Sequence, residues 1–375
     1  MAIRGVYNEA EKKMLSAWEK LGEGIVGWKK SLRMPVATET SIRNFANAAD
    51  PWNPLWRDKK YAENTQWCGI IAPPFYLDAN AQWPLFPPVP PDCGIFSGGW
   101  TGEDWEVFKQ VHENDRFKVW HRKPTFIDLT DKDGHGPRKF GAIIHDCSIF
   151  NQRDELITNF KLYLDFSITP APTEQDLREE YTYTKEELEY IDRLYEGEEI
   201  RGAKVRWWED VKVGEELKPV VYGPTTLWDE IVYTIGRPEM DLLPVMALTK
   251  MSLLPAEMLM PDPVTGVTHH PLEFIHYVSK KGAMRPAVNY GISTRQLMAR
   301  CLTNWMGDDG FIKKFHWRHL GGFLIGDTGI GHGKVVGKRV ENGEHLVDLS
   351  LWMDTLRGDT SFPAVATISL LSKEN

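Results

Sequence analysis

The chain has 375 residues, 42% of them hydrophobic, which is too long for one ordinary domain and ample for buried cores, so two globular domains are expected. Its formal charge of −9, with acids and bases interspersed, excludes a phosphate-tracking surface and sets nucleic acid aside as a partner. Cys68, Cys93, Cys147 and Cys301 stand far apart with no C-x-x-C pair, which argues against a zinc knuckle or a disulfide framework and for a reducing cytoplasm.

The N-terminal stretch MAIRGVYNEAEKKMLSAWEK is charged and lacks an apolar signal core, and no run of about 18 apolar residues occurs, so neither export nor a membrane partner is expected. From there the chain runs through one pattern twice. Each copy opens on a polar turn and an amphipathic helix: TETSIRNFANAAD (Thr38–Asp50) and GPTTLWDEIVYTIG (Gly223–Gly236). Ile42, Phe45 and Ala46 in the first, and Leu227, Ile231 and Val232 in the second, recur at helical spacing behind Thr or Ser caps.

An Asn-Pro step (NPLW at Asn53) or a His-Pro step (HPLE at His270) follows. A turn opening a second helix comes next, and Pro54 to Pro73 and Pro271 to Tyr290 are both 19 residues apart. These central helices are expected to begin near Pro74 and Ser293. The second has Ser293 and Gln296 as a capping-box pair, Met298, Cys301, Leu302 and Trp305 on one apolar face, and Gly307 at its end.

Strand, polar turn, strand closes each half: GAIIHDCSIFNQRDELITNFKLYLDF turns at Arg153-Asp154, and EHLVDLSLWMDTLRGDTSFPAVATISLL turns at Arg357-Gly358-Asp359. Asn342-Gly343 supplies a hairpin turn ahead of the second pair. Between the halves the composition becomes charged and Pro-containing, a surface linker with one exposed helix over about Lys185–Tyr195. The glycines from Gly321 to Gly333 open no helix and read as a bulged strand rather than a phosphate loop. The expected architecture is α+β, with residues 1–170 and 200–375 as two units joined by 171–199.

The repeated spacing, the box NPLWRDKKYA, the turn GIIAPP and the closing meander together resemble the MaoC-like acyl dehydratases, the hydratase 2 group, in the fused double-hotdog form. The resemblance covers nearly the whole chain. It implies tandem hotdogs, each a curved antiparallel sheet wrapped around a central helix. It also implies water added to or removed from an enoyl-CoA or 3-hydroxyacyl-CoA thioester. CoA enters as part of the substrate, no separate cofactor is implied, and a homodimer stays open as the assembly.

In that family an Asp and a His hold water near the β-carbon, and a backbone N–H at the helix start polarises the thioester. This chain departs from the D-x-N-P-[IL]-H-x-D box in both halves. In the first, Trp52 is an extra residue between Asp50 and Asn53, and Pro73 is expected in the place of the His. In the second, Thr268, His270 and Tyr290 take the Asp, Asn and His positions.

The candidate acid/base residues are therefore Asp50 and Tyr290, with Asn289 and His270 able to share the work. Asn53, Trp56, Pro74 and Gly291 are the candidate substrate contacts, and Asp58 is expected to cap a turn. His269, His270, His276, His316 and His319 match no familiar ligand spacing, so no metal is expected. A hotdog thioesterase relying on Asp50, and a non-catalytic acyl-CoA-binding subunit, are the alternatives.

Overall fold

The structure, a computed structural model, describes residues 32–81, 97–128, 139–167, 181–237, 291–319, 323–358 and 360–374. It also describes 26–29 and isolated positions before residue 26 and between 247 and 267. The first half carries β1 (Gly27–Trp28), β2 (Ser97–Val107), β3 (Lys118–His121), β4 (Thr125–Asp128), β5 (Lys139–Phe150) and β6 (Leu156–Ser167). The second carries β7 (Val220–Tyr222), β8 (Phe311–Arg318), β9 (Gly329–Glu341), β10 (Glu344–Thr355) and β11 (Thr360–Leu370).

These strands form a single sheet in the order β1-β3-β5-β6-β2-β8-β11-β10-β9-β7, with β4 on β5, and every ladder is antiparallel. The halves meet edge to edge at β2 and β8, in the register Glu103↔Trp317, Asp104↔His316, Trp105↔Phe315. Each half covers the edge strand that the other would leave open.

The helices are α1 (Glu39–Ala49), α2 (Lys59–Ala62), α3 (Asp78–Ala81), α4 (Lys185–Glu196), α5 (Leu227–Gly236) and α6 (Gly291–Met306). The helix α6 is the central helix of the second half, packed against β7, β9, β10 and β11. Its residues from Ser293 to Met306 are buried on every face. The sheet reaches it because Gly331 and Gly333 alternate on one face of β9. A Cβ at Gly331 would meet Cys301 Sγ at 2.8 Å, and one at Gly333 would meet Leu217 at 2.9 Å. Of the glycine run, Gly329, Gly331 and Gly333 are thus strand, Gly326 lies in a turn, and Gly321 and Gly322 lie outside the described residues; the strand glycines let the sheet pack closely on its neighbours.

The meander follows the sequence pattern closely. Val347, Leu349 and Leu351 are buried while Asp348 and Ser350 between them are partly exposed. Asn342 and Gly343 both have positive φ, 52° and 83°, as a two-residue hairpin turn requires. Thr38 caps α1 through a box with Ser41, and Thr226 caps α5 through a box with Asp229.

Four expectations need correction. The helix α6 already includes Gly291, so Ser293 lies inside it, and Gln296 points across to the first half, donating to the Pro74 carbonyl at 3.3 Å. The first helix turn begins at Asp78 rather than near Pro74, because residues 74–77 form a turn with Phe75 at φ 67°. The stripe Leu227, Ile231, Val232 does not face the core: Leu227 and Ile231 are 45% and 40% exposed. Tyr233 and Gly236 are buried instead, and Gly236 sits against the α1 backbone. Finally, α4 is not simply an exposed linker helix, since Ile191 is buried against Val221 and Ile330. Among the described residues no helix is long and apolar enough to cross a membrane.

Candidate functional site

The helix α1 stops at Asp50, whose N–H donates to the Ala46 carbonyl at 2.9 Å, and Pro51 prevents a further turn. Asn53 then caps a short 3-10 turn, Pro54–Trp56, its Oδ1 accepting the Leu55 N–H at 3.0 Å. That turn folds the chain back on itself. Trp56 donates its indole N–H to Asp50 Oδ2 at 3.0 Å. Thr303, from α6 of the other half, places its hydroxyl 3.4 Å from the same oxygen.

Asp50 is only 4% exposed, and its second oxygen, Oδ1, has no hydrogen-bond partner among the described residues. Burial raises its pKa above the usual carboxylate range; Arg300 and the Trp56 and Thr303 hydrogen bonds oppose that rise, and Glu198 adds to it. Burial thus favours the protonated form of this carboxyl, and its unengaged oxygen is buried with it.

Asn53, Trp56 and Thr303 line a narrow cleft at the joint between the halves, and Asp50 lies behind Trp56 and Thr303 rather than in its wall. Its walls are apolar and aromatic, with Pro73, Pro74, Phe75 and Trp105 from one half and Met306 and Phe311 from the other. Phe75 reaches fully across, its ring 5.0 Å from Trp105 and 4.7 Å from Phe315.

The sequence expectations fare unevenly here. Asn53, Trp56 and Pro74 line this cleft, and Asp50 lies behind it, bonded to Trp56. Pro73, expected in the place of the His, lies in the cleft wall. The side chain that touches Asp50 is instead Trp56, which follows N-P-L and so stands where the box itself has its His. Asp58 caps α2, accepting the Tyr61 N–H at 3.0 Å. Gly291 is the first described residue of α6. Tyr290, Asn289, His270 and Thr268 lie outside the described residues.

Sequence reasoning missed Thr303 and a buried charge cluster. Arg237 at the end of α5 donates to Asp78 at 2.5 Å, and Arg295 of α6 donates to Asp78 and Glu103, both at 2.6 Å. All four side chains are at most 1% exposed. The signal was available in two Arg residues, Arg295 and Arg300, inside a helix otherwise read as core.

No protein-family model and no curated protein matches the chain. Solved structures do. A MaoC-like dehydratase is similar with a TM-score of 0.59 and 14% identity, over 94% of this chain and 100% of that one. A putative MaoC domain protein dehydratase from Chloroflexus aurantiacus matches with a TM-score of 0.55 and 12% identity, over 93% and 96%. A conserved hypothetical protein of Mycobacterium tuberculosis, described as having a double hotdog fold, matches with 0.52 and 8% identity, over 93% and 97%. The chain is a double hotdog, similar over nearly its whole length to MaoC-like dehydratases in fold.

Proposed function

We propose that the protein is a hydratase or dehydratase of an acyl thioester of the enoyl or 3-hydroxyacyl type, with the acyl chain in the cleft at the joint and Asp50 as acid/base. The observation that carries this reading is the Asp50 carboxyl, buried behind Trp56 and Thr303 with Oδ1 unengaged among the described residues. In the hydration direction Asp50 takes a proton from the water whose oxygen bonds to the β-carbon, and returns a proton to the α-carbon. Dehydration runs the same transfers backwards. Similar folds described as dehydratases favour this chemistry.

Trp56 in the place of the box's His favours a second reading, a thioesterase in which Asp50 alone activates water at the thioester carbonyl. Purified protein incubated with a panel of enoyl-CoA and 3-hydroxyacyl-CoA compounds separates the readings. Interconversion supports the hydro-lyase, release of free CoA supports the thioesterase, and binding without turnover reduces the site to an acyl-CoA-binding groove.

A further inference from the structure

The segment that joins the halves ends against the Asp50 site. Past α4, Glu198 grips Arg300 of α6 in a bidentate pair, accepting from Nε at 2.9 Å and from Nη2 at 2.6 Å. Nη2 also donates to the Val221 carbonyl at 3.1 Å, and Asn304 donates to Glu198 at 2.8 Å. Arg300 is 4% exposed, so the guanidinium is held inside the protein in a single orientation.

Trp52, the residue that the first half has in excess of the family box, completes the clamp. Its ring lies 5.3 Å from the Arg300 guanidinium and stacks on Tyr195 of α4, with centroids 6.3 Å apart. Trp52 is 57% exposed and lies over Arg300 rather than Asp50. Arg300 stands one helical turn before Thr303, whose hydroxyl lies 3.3 Å from the Arg300 carbonyl and 3.4 Å from Asp50. An extra loop residue and the joining segment thus converge on a buried cation one turn before the threonine that touches Asp50.

We propose that Glu198 and Trp52 fix Arg300 as a partly neutralised cation behind Asp50, so that Glu198 and Arg300 are positioning residues that set when Asp50 carries charge. Among the described residues, the charged groups acting on Asp50 are Arg300 from α6 and Glu198 from the joining segment, while Trp56 and Thr303 contribute neutral donors. The Arg300 guanidinium favours the charged form of Asp50 and the Glu198 carboxylate opposes it, so the pair acts on the Asp50 proton in opposite directions. This inference rests on the acid/base role proposed for Asp50.

The test reads Asp50 without any substrate. The Trp56 indole N–H bonds the carboxyl directly, so its ¹H–¹⁵N NMR signal, assigned with Trp56→Phe, follows the Asp50 titration. Glu198→Gln keeps the shape and removes the anion, and should lower the Asp50 midpoint by roughly one pH unit; Arg300→Gln should raise it by a similar amount. The double variant should return towards the wild-type midpoint. Midpoints that stay put, or that move the same way in both single variants, overturn the proposal. Should Arg300→Gln fail to fold, Glu198→Gln decides alone: a lower midpoint supports the coupling and an unchanged one refutes it. A lowered midpoint in a protein that turns over no thioester would leave the coupling standing and refute the function.

Discussion

The ends of α1 and α5 are the same place in two halves of one molecule. Asp50 at the first has φ −155° and ψ 75°, and Arg237 at the second has φ −132° and ψ 80°. Each donates its N–H four residues back, to Ala46 and to Tyr233, at 2.9 Å. Each side chain then crosses to a helix of the other half, Asp50 to Thr303 and Arg237 to Asp78. What differs is the charge and what becomes of it. Asp50 meets neutral donors and keeps one oxygen unengaged among the described residues, beside a cleft. Arg237 enters a cluster with Asp78, Arg295 and Glu103 that ties the halves together. A repeated backbone thus supports chemistry at one end and attachment at the other, and only the side chain decides which.

Breaking the comparison at its reactive end should have the largest effect. Asp50→Asn keeps the shape and the Trp56 contact but removes the base, so kcat on the thioester found by the panel should fall about 10²- to 10⁴-fold with KM little changed. Full turnover in this variant would show that Asp50 is a remnant and that the acid lies elsewhere.

At the structural end, Asp78→Asn leaves Arg237 and Arg295 facing each other with one anion fewer. Loss of a partner from a buried pair typically costs about 3–5 kcal/mol, which urea unfolding at pH 7 would report. A loss below about 1 kcal/mol would mean that the cluster is not what joins the halves there.

The two equivalent helices also touch directly. A Cβ at Gly236 would meet the Asn44 carbonyl oxygen at 2.6 Å and the Phe45 Cα at 3.1 Å. Gly236→Ala should therefore destabilise by about 1–3 kcal/mol through overpacking, even though alanine is the better helix former. An unchanged or higher melting temperature would show that the helices separate without penalty.

The smallest effect sharpens the comparison through pH. Because burial raises the Asp50 pKa above its ordinary 3.8, the folded state binds that proton more tightly than the unfolded chain does. Its contribution to stability is complete below 3.8 and is lost as pH rises through the folded value. Asp50→Asn should accordingly gain stability relative to the wild type as pH rises above 3.8, seen as a melting temperature that diverges upward with pH. A gap that narrows as pH rises would reverse the sign assigned to Asp50.

Much of this molecule was legible in its amino-acid order because the relevant physics is local. The Thr38 and Thr226 caps, the Asn342-Gly343 turn and the alternation along Val347–Leu351 depend on neighbours two to four residues away, and each forms as read. The same reach explains why Asp50, Asn53 and Trp56 could be grouped, since one short turn folds them together. The stripe on α5 misled because periodicity finds an apolar face but cannot say which face a neighbour needs. That helix packs through Tyr233 and Gly236, where α1 comes close. Thr303, Arg300 and Glu198 reach the Asp50 site from 148 to 253 positions away along the chain, and no local rule connects them. Sequence alone determined the closing strand pair of each half and the acid at the end of α1. Tertiary structure decided that this acid would be buried against the other half's helix while its counterpart was locked in an ion cluster, because desolvation and charge pairing depend on what the folded chain brings together.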